Sequence, residues 1–513
     1  MQKRWKALWG ILLFSCTKQP TLPTDTLRIG LFSPYASLDP IYARDQVSVW
    51  FVQQLFMGLV TYDSALRIVP AAASRWEVSP DGRVYRFFLR HELTYTKHPQ
   101  RHLRAQDVVY SWHRLANPRW ASPGSYLFRD IIKGWREYQE GKAPSISGIR
   151  ALSDTVLEVE LQAPYAPFLH LLTMPYAAIV LPEVAESLGR DFAKQPVGLG
   201  PFYLLYEDKG RQVVFKRDTG KIRKIAFRWY ANRLWAWEAL LRGEIDAFEG
   251  TDRALDYLLQ KDTSWKSKIL RLSTPQMGTE YLGMRTTKGS PFENKALRRA
   301  MLALLWRLSL RDKLGMDCTP ARSFIPPPLL DRIPTIDTSL TEKDLKLLRS
   351  AAPFTLYAAP SFRELCEYIQ TALAQEGIPI QIQYLLGPSL REQITKGQIY
   401  FWKASWLADF PDGENFLILF ESTQKAPVGP NTTAFAHSLM DSLIAESRQT
   451  SDPIQRRRLY TRAESLLLEE APVIPLYHAH GIWFLSRRVR NFPQSPLPVW
   501  LPLKEVSLQA YEP

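Results

Sequence analysis

Only three cysteines and eight histidines stand among 513 residues, and that scarcity removes whole classes of chemistry. No Cys-x-x-Cys pair and no His-Glu-x-x-His run is present, so neither a zinc ribbon nor a zincin centre has its ligands. The chain also lacks a Gly-x-Ser-x-Gly elbow and a Walker-type phosphate loop, which leaves no assembled catalytic constellation. No segment past the N-terminus offers the ~18 or more uninterrupted apolar residues that suggest a membrane span. Acidic residues are in deficit: 65 Lys and Arg face 51 Asp and Glu, a formal charge of +14. The basic residues are scattered, however. Arg456-Arg457-Arg458 and Arg487-Arg488 sit among apolar helical or strand residues and read as solvated faces, not as a nucleic-acid stripe. The excess of cations still favours contact with anionic lipid head groups.

What is present is the composition of a folded protein: 46% hydrophobic and 12% aromatic residues, in a chain long enough for two to four domains. Lys3, Arg4 and Lys6 precede a short apolar run, Ala7 to Phe14, followed by Ser15 and Cys16. That is the layout of an export leader. Leu13-Phe14-Ser15-Cys16 resembles the bacterial lipoprotein box, with Cys16 as the lipidated residue, although Phe14 is bulkier than usual there. An ordinary signal peptide cleaved nearby is the alternative. Residues 17–26 are polar with two prolines and read as a tether. An oxidising compartment permits a bridge between Cys318 and Cys366, but their spacing does not demand one.

Beyond the tether, alternating strand patterns are interleaved with helical ones, as in Ala226–Trp229, Trp235–Leu241 and Ile245–Ala247, which favours an α/β fold with parallel or mixed sheets. Ser79-Pro80-Asp81-Gly82 is a hairpin signal. Asp452-Pro453 marks a helix start. One aromatic stretch carries an acidic turn: FWKASWLADFPDGENFL, residues 401–417. On composition it is a core strand ending in a solvated turn, with Asp412 and Glu414 in turn and surface roles. His478 and His480 could share one face of a strand, as a metal or haem site requires, though such pairs are more often ordinary strand residues.

Several motifs fall in one order: Ser37-Leu38-Asp39-Pro40, Gly58-Leu59-Val60, Ser79-Pro80-Asp81-Gly82 and Ala105-Gln106-Asp107-Val108-Val109-Tyr110-Ser111. Pro196 to Phe202, Pro320-Ala321, Trp406 to Leu417 and Ala471 to Tyr477 continue the series. Together they resemble the peptide-binding family of transporter solute-binding proteins, over roughly residues 27 to 490. Leu199 and Arg285 depart from it, standing where Thr and Asn are usual, and so does Trp306, where Asp is usual.

The resemblance implies a two-lobed α/β fold of the periplasmic-binding-protein type (type II), with an extra N-terminal subdomain and an interlobe ligand cleft. Lobe I is expected from 27–50, 151–272 and 477–513, the subdomain from 51–150 and lobe II from 273–476. It further implies a monomeric binding protein without catalysis or cofactor, whose partners are a peptide, an ABC permease complex and, through Cys16, a membrane. Nucleic acid is not expected as a partner. Asp409 matches the position that pairs with a peptide's α-ammonium group. Trp406 supplies an apolar wall, Lys403 is a candidate for the same face, and Arg44, Asp45, Gln46 and Tyr126 fall in ligand-lining regions. Arg285 is the candidate partner for a ligand carboxylate. A nickel chelate, haem or an oligosaccharide is the alternative ligand within the same fold.

Overall fold

A computed structural model describes residues 24–308 and 317–510; Cys16, the leader and most of the tether lie outside the described residues. The chain enters at β1 (Thr26–Leu31), whose residues 27–31 are all buried. A strand buried on both faces belongs in a parallel sheet. β1 runs parallel to Lys224–Trp229 on one side and to β2 (Ala247–Glu249) on the other. After β1 the chain forms α1 (Gln46–Leu55), capped by the Asp45 carboxylate on the Ser48 amide (2.9 Å).

The sheet continues through β3 (Ile269–Pro275), β4 (Gly278–Met284) and β5 (Phe401–Leu407). The long helix α2 (Pro453–Glu470) starts at Asp452-Pro453 as expected, with Asp452 accepting from the Ile454 amide at 2.8 Å. It leads into β6 (Val473–Ser486), a strand of 14 residues. β6 joins two half-sheets. Its C-terminal part pairs with β2 and β3, and its N-terminal part with β4 and Cys318–Pro320. β5 and the parallel pair Phe354–Ala358 and Ile380–Tyr384 complete the second half. The halves therefore meet at Gln276, between β3 and β4, and beside it at Ala479–Gly481 of β6, where the Gln276 amide donates to Ala479 O (2.9 Å). These are the two lobes, joined by two strands.

A separate four-stranded antiparallel sheet, ordered Ala73–Val78, Val84–Leu89, Val156–Glu160, Ile149–Ser153, builds the extra subdomain with the helix Ala105–Ala116. The expected boundary at residue 150 falls inside this sheet, because Val156–Glu160 supplies the partner that Val84–Leu89 needs on its second edge. Phe87, Trp112, Trp135 and Phe168 fill its core.

Two charge clusters depart from the solvated faces expected of them. Arg457, Arg458 and Arg487 are exposed, but Arg456 and Arg488 are buried, on Asp412 (2.8 Å) and Asp246 (2.8 Å) respectively. Burial of a guanidinium requires such a partner. Asp412 and Glu414 are likewise buried ion-pair members, not surface groups. Cys318 and Cys366 are both buried and form no disulfide with each other.

Candidate functional site

Asp409 stands just past the end of β5, where Pro411 and Gly413 turn the chain. The residue before it is tied to the crossing segment: the Ala408 amide donates to Met277 O at 2.8 Å. The residue after it, Phe410, is inserted into the core of the subdomain. The Asp409 amide donates to Asn415 Oδ1 (3.2 Å), and Asn415 Nδ2 donates to its carboxylate (3.4 Å). The carboxylate is solvent-accessible yet enclosed by protein. Enclosure pushes its pKa up, and the Asn415 hydrogen bond only partly opposes this.

Around it converge groups from three other segments. Tyr126 is 61% exposed, and its hydroxyl is raised by enclosure and by the Asp409 charge. Tyr176 is buried, and its hydroxyl is raised by burial and then by Asp409; Tyr126 and Asp45 add to this while Arg44 opposes it. Asp409, Tyr126, Arg44 and Asp45 thus share one electrostatic neighbourhood, with Tyr176 at its centre. Nothing in the sequence pointed to Tyr176. Gly124 makes its position possible, since a Cβ there would lie 2.3 Å from the tyrosine ring. Asp45 is largely committed to its cap, taking the Ser48 hydroxyl at 2.6 Å as well. Arg44 is exposed and enters no hydrogen bond or ion pair among the described residues. Gln46 lies one residue further on, its amide donating to Pro498 O (3.0 Å). Trp406 is half-buried and braces the turn, its indole donating to Asn415 O (2.9 Å).

Two expected site residues belong elsewhere. Lys403 is 2% exposed, ion-paired to Glu280 and 3.9 Å above the Phe362 ring, and so points into lobe II and not the cleft. Ser405 on the same face reaches the same Glu280 oxygen (2.5 Å). Arg285 follows the far end of β4, seven residues from Gly278, or about 23 Å at the usual strand rise. Its guanidinium donates to Ile394 O (3.3 Å) and Thr432 O (3.2 Å), strapping the last turn of the helix Gly387–Thr395 to the Thr432 loop. Arg285→Ala should therefore lower the thermal midpoint while leaving ligand affinity within about twofold, measured by calorimetry. The histidine pair is also structural. His478 is buried at the lobe crossing with Nδ1 on Gly278 O (3.0 Å), and His480 lies between Ser273 and Thr319 (3.0 Å each). No cluster of three or more metal-ligating side chains occurs among the described residues.

Residues 67–427, which include the Asp409 turn, match the bacterial extracellular solute-binding proteins, family 5 Middle. The chain belongs to this family. Its relatives include the Escherichia coli (strain K12) probable deoxycholate-binding periplasmic protein YgiS, 24% identical over 96% of this chain and 95% of that protein. The periplasmic murein peptide-binding protein MppA of the same strain is 26% identical over 89% of this chain and 88% of its own length. Among solved structures, the E. coli murein tripeptide binding protein MppA superposes with a TM-score of 0.78 at 23% identity, covering 96% of this chain and all of that one. Haemophilus influenzae OppA in complex with RPPGFSPFR gives 0.76 at 21%, covering 95% and 99%. The two-lobed architecture of this family member is thus the one these structures share.

Proposed function

We propose that this chain is an extracytoplasmic, lipid-anchored binding protein that captures peptides between its lobes and delivers them to an ABC permease. The observation that carries the reading is Asp409: an enclosed, accessible carboxylate without a cationic partner among the described residues, at the mouth of the lobe crossing and within electrostatic reach of Tyr126 and Tyr176. An enclosed carboxylate is costly unless a cation meets it, and a peptide's α-ammonium group supplies one. MppA, named for the murein peptides it binds, and OppA, solved in complex with RPPGFSPFR, support the ligand class. Closure around the ligand requires that it bind the closed state better than the open one. Cys16 supplies the anchor in this reading, and the permease reads the closed form.

Thermal shift against peptides of two to eight residues, with nickel and haem alongside, tests the proposal; a ligand stabilises only the state it binds. Silence towards every peptide would sink it. The pH dependence provides a second check. Because the Asp409 pKa is raised, its carboxylate protonates at a higher pH than an ordinary aspartate. The protonated form cannot pair with an ammonium group. Affinity for peptides with a free amino terminus should therefore fall as pH drops through that raised value, beginning above the usual carboxylate range, while N-acetylated peptides change little.

A further inference from the structure

A second carboxylate, on the cleft side of lobe I, has no ion-pair partner among the described residues; its hydrogen bond is to the neutral Gln46 side chain. Glu249 ends β2, at the carboxyl ends of the parallel strands β1, Lys224–Trp229 and β2. In open α/β sheets ligands bind outside those ends. Side chains alternate across a strand. Ala247 belongs to the cluster around α1, and Phe248, on the opposite face, stacks on Phe484 (5.2 Å). Glu249 thus falls on the α1 face, beside Gln46, one residue from the Arg44–Asp45 wall of the site. Arg233 lies across the strand end, against Gly250 and 4.7 Å over the Phe32 ring. It tempers the Glu249 charge without an ion pair among the described residues, and burial still pushes the carboxyl up to about 7.

The carboxylate lines a small chamber of about 20 Å³ between α1, the crossing residue Gln276 and the C-terminal segment. Three indoles share that lining: Trp50, Trp483 and Trp500. Trp50 and Trp483 lie 5.7 Å apart, and the Trp50 indole N–H is already spent on Pro498 O (3.1 Å). That leaves the Trp50 ring face, not its donor, for a guest. Room for one water-sized group, ring faces and one carboxylate together suit an ammonium group: the rings attract a cation within about 6 Å, and the carboxylate neutralises it. A neutral apolar tip would leave the carboxylate without a counter-charge.

We propose that the Glu249 chamber is a subsite for a primary ammonium group, through which the protein selects peptides bearing a lysine-like side chain. This rests on the peptide reading above. The test is calorimetry of tri- and tetrapeptides carrying lysine or norleucine at each position in turn, on the wild type and on Glu249→Gln. At one position the lysine peptide should bind at least tenfold tighter than its norleucine twin. In Glu249→Gln that ratio should fall to about one, with norleucine affinities within twofold of wild type. Glu249→Asp, which withdraws the carboxylate by one methylene, should give an intermediate ratio, and serves if the glutamine variant does not fold.

Ratios near one at every position in the wild type, or a ratio that survives Glu249→Gln, overturn the subsite while leaving peptide capture intact. Peptides that bind neither protein overturn both. Ammonium chloride, compared with tetramethylammonium chloride at equal ionic strength, separates the other source of such a cation. Stabilisation of the wild type by ammonium with no lysine preference would make the chamber a free-cation site and overturn ligand selection.

Discussion

Asp409→Asn will lose peptides with a free amino terminus and keep N-acetylated ones. Removing one member of an enclosed charge pair typically costs ~2–5 kcal/mol, much of it from the partner left unpaired. At tenfold per 1.4 kcal/mol, that is on the order of 30- to several-thousand-fold in Kd. The free protein should respond in the opposite sense. The folded-state pKa of Asp409 is raised, so its contribution to stability is present below the ordinary aspartate value and is lost as pH rises through the raised one. At neutral pH the ionised carboxylate opposes folding, and the isosteric amide removes that opposition. The thermal midpoint of ligand-free Asp409→Asn should therefore equal or exceed that of the wild type, which separates loss of binding from loss of fold. Equal losses for free and acetylated peptides would remove Asp409 from this role.

How much of this was legible in the sequence differs from residue to residue, for physical reasons. Local signals carried through: the Ser79–Gly82 turn closes with the Gly82 amide on Ser79 O (2.8 Å) at a positive φ of 70°. Motif order identified the family and the two lobes. What could not be read was which side of a strand faces the cleft. Lys403 and Ser405 do share a face, as alternation requires. That face carries Glu280, contributed by β4, 123 residues away from Lys403, so the lysine is consumed before it can meet a ligand. Arg285 failed similarly: its departure from the family pattern is real, but the register of β4 on β5 places it at the far end of the strand pair from the site. Arg456 and Arg488 looked solvated because their partners, Asp412 and Asp246, lie 44 and 242 residues away. Pairing between distant segments decides burial of charge, and periodicity does not encode it. Tyr176 and Glu249 were invisible for the same reason, since each acquires its meaning from neighbours on other segments.

Phe410→Ala should be the most damaging single truncation in the Asp409 turn. Phe410 belongs to a lobe II loop but is 2% exposed within the subdomain core, its ring stacked on His170 (6.0 Å, 18°). The contact does not stand alone. The Tyr165 hydroxyl donates to Glu414 Oε2 (3.1 Å), the Ala166 amide to Arg448 O (2.7 Å), and Arg448 bridges Glu414 and Glu421. Lobe II thus holds the subdomain through one aromatic anchor and a satisfied polar cluster behind it. Truncating a buried Phe to Ala typically costs about 3–5 kcal/mol, from lost burial and from the cavity left behind. Phe410→Leu keeps most of the volume and should cost much less. Because Phe410 is the next residue to Asp409, the same truncation frees the carboxylate that meets the ligand. Stopped-flow measurement should therefore show faster peptide release from Phe410→Ala than from Phe410→Leu, alongside its lower thermal midpoint. A midpoint equal to that of the wild type would mean that the loop rests on the subdomain without holding it. The anchoring of Asp409 would then have to come from Asn415 and the Met277 carbonyl alone, two contacts that both lie outside the subdomain.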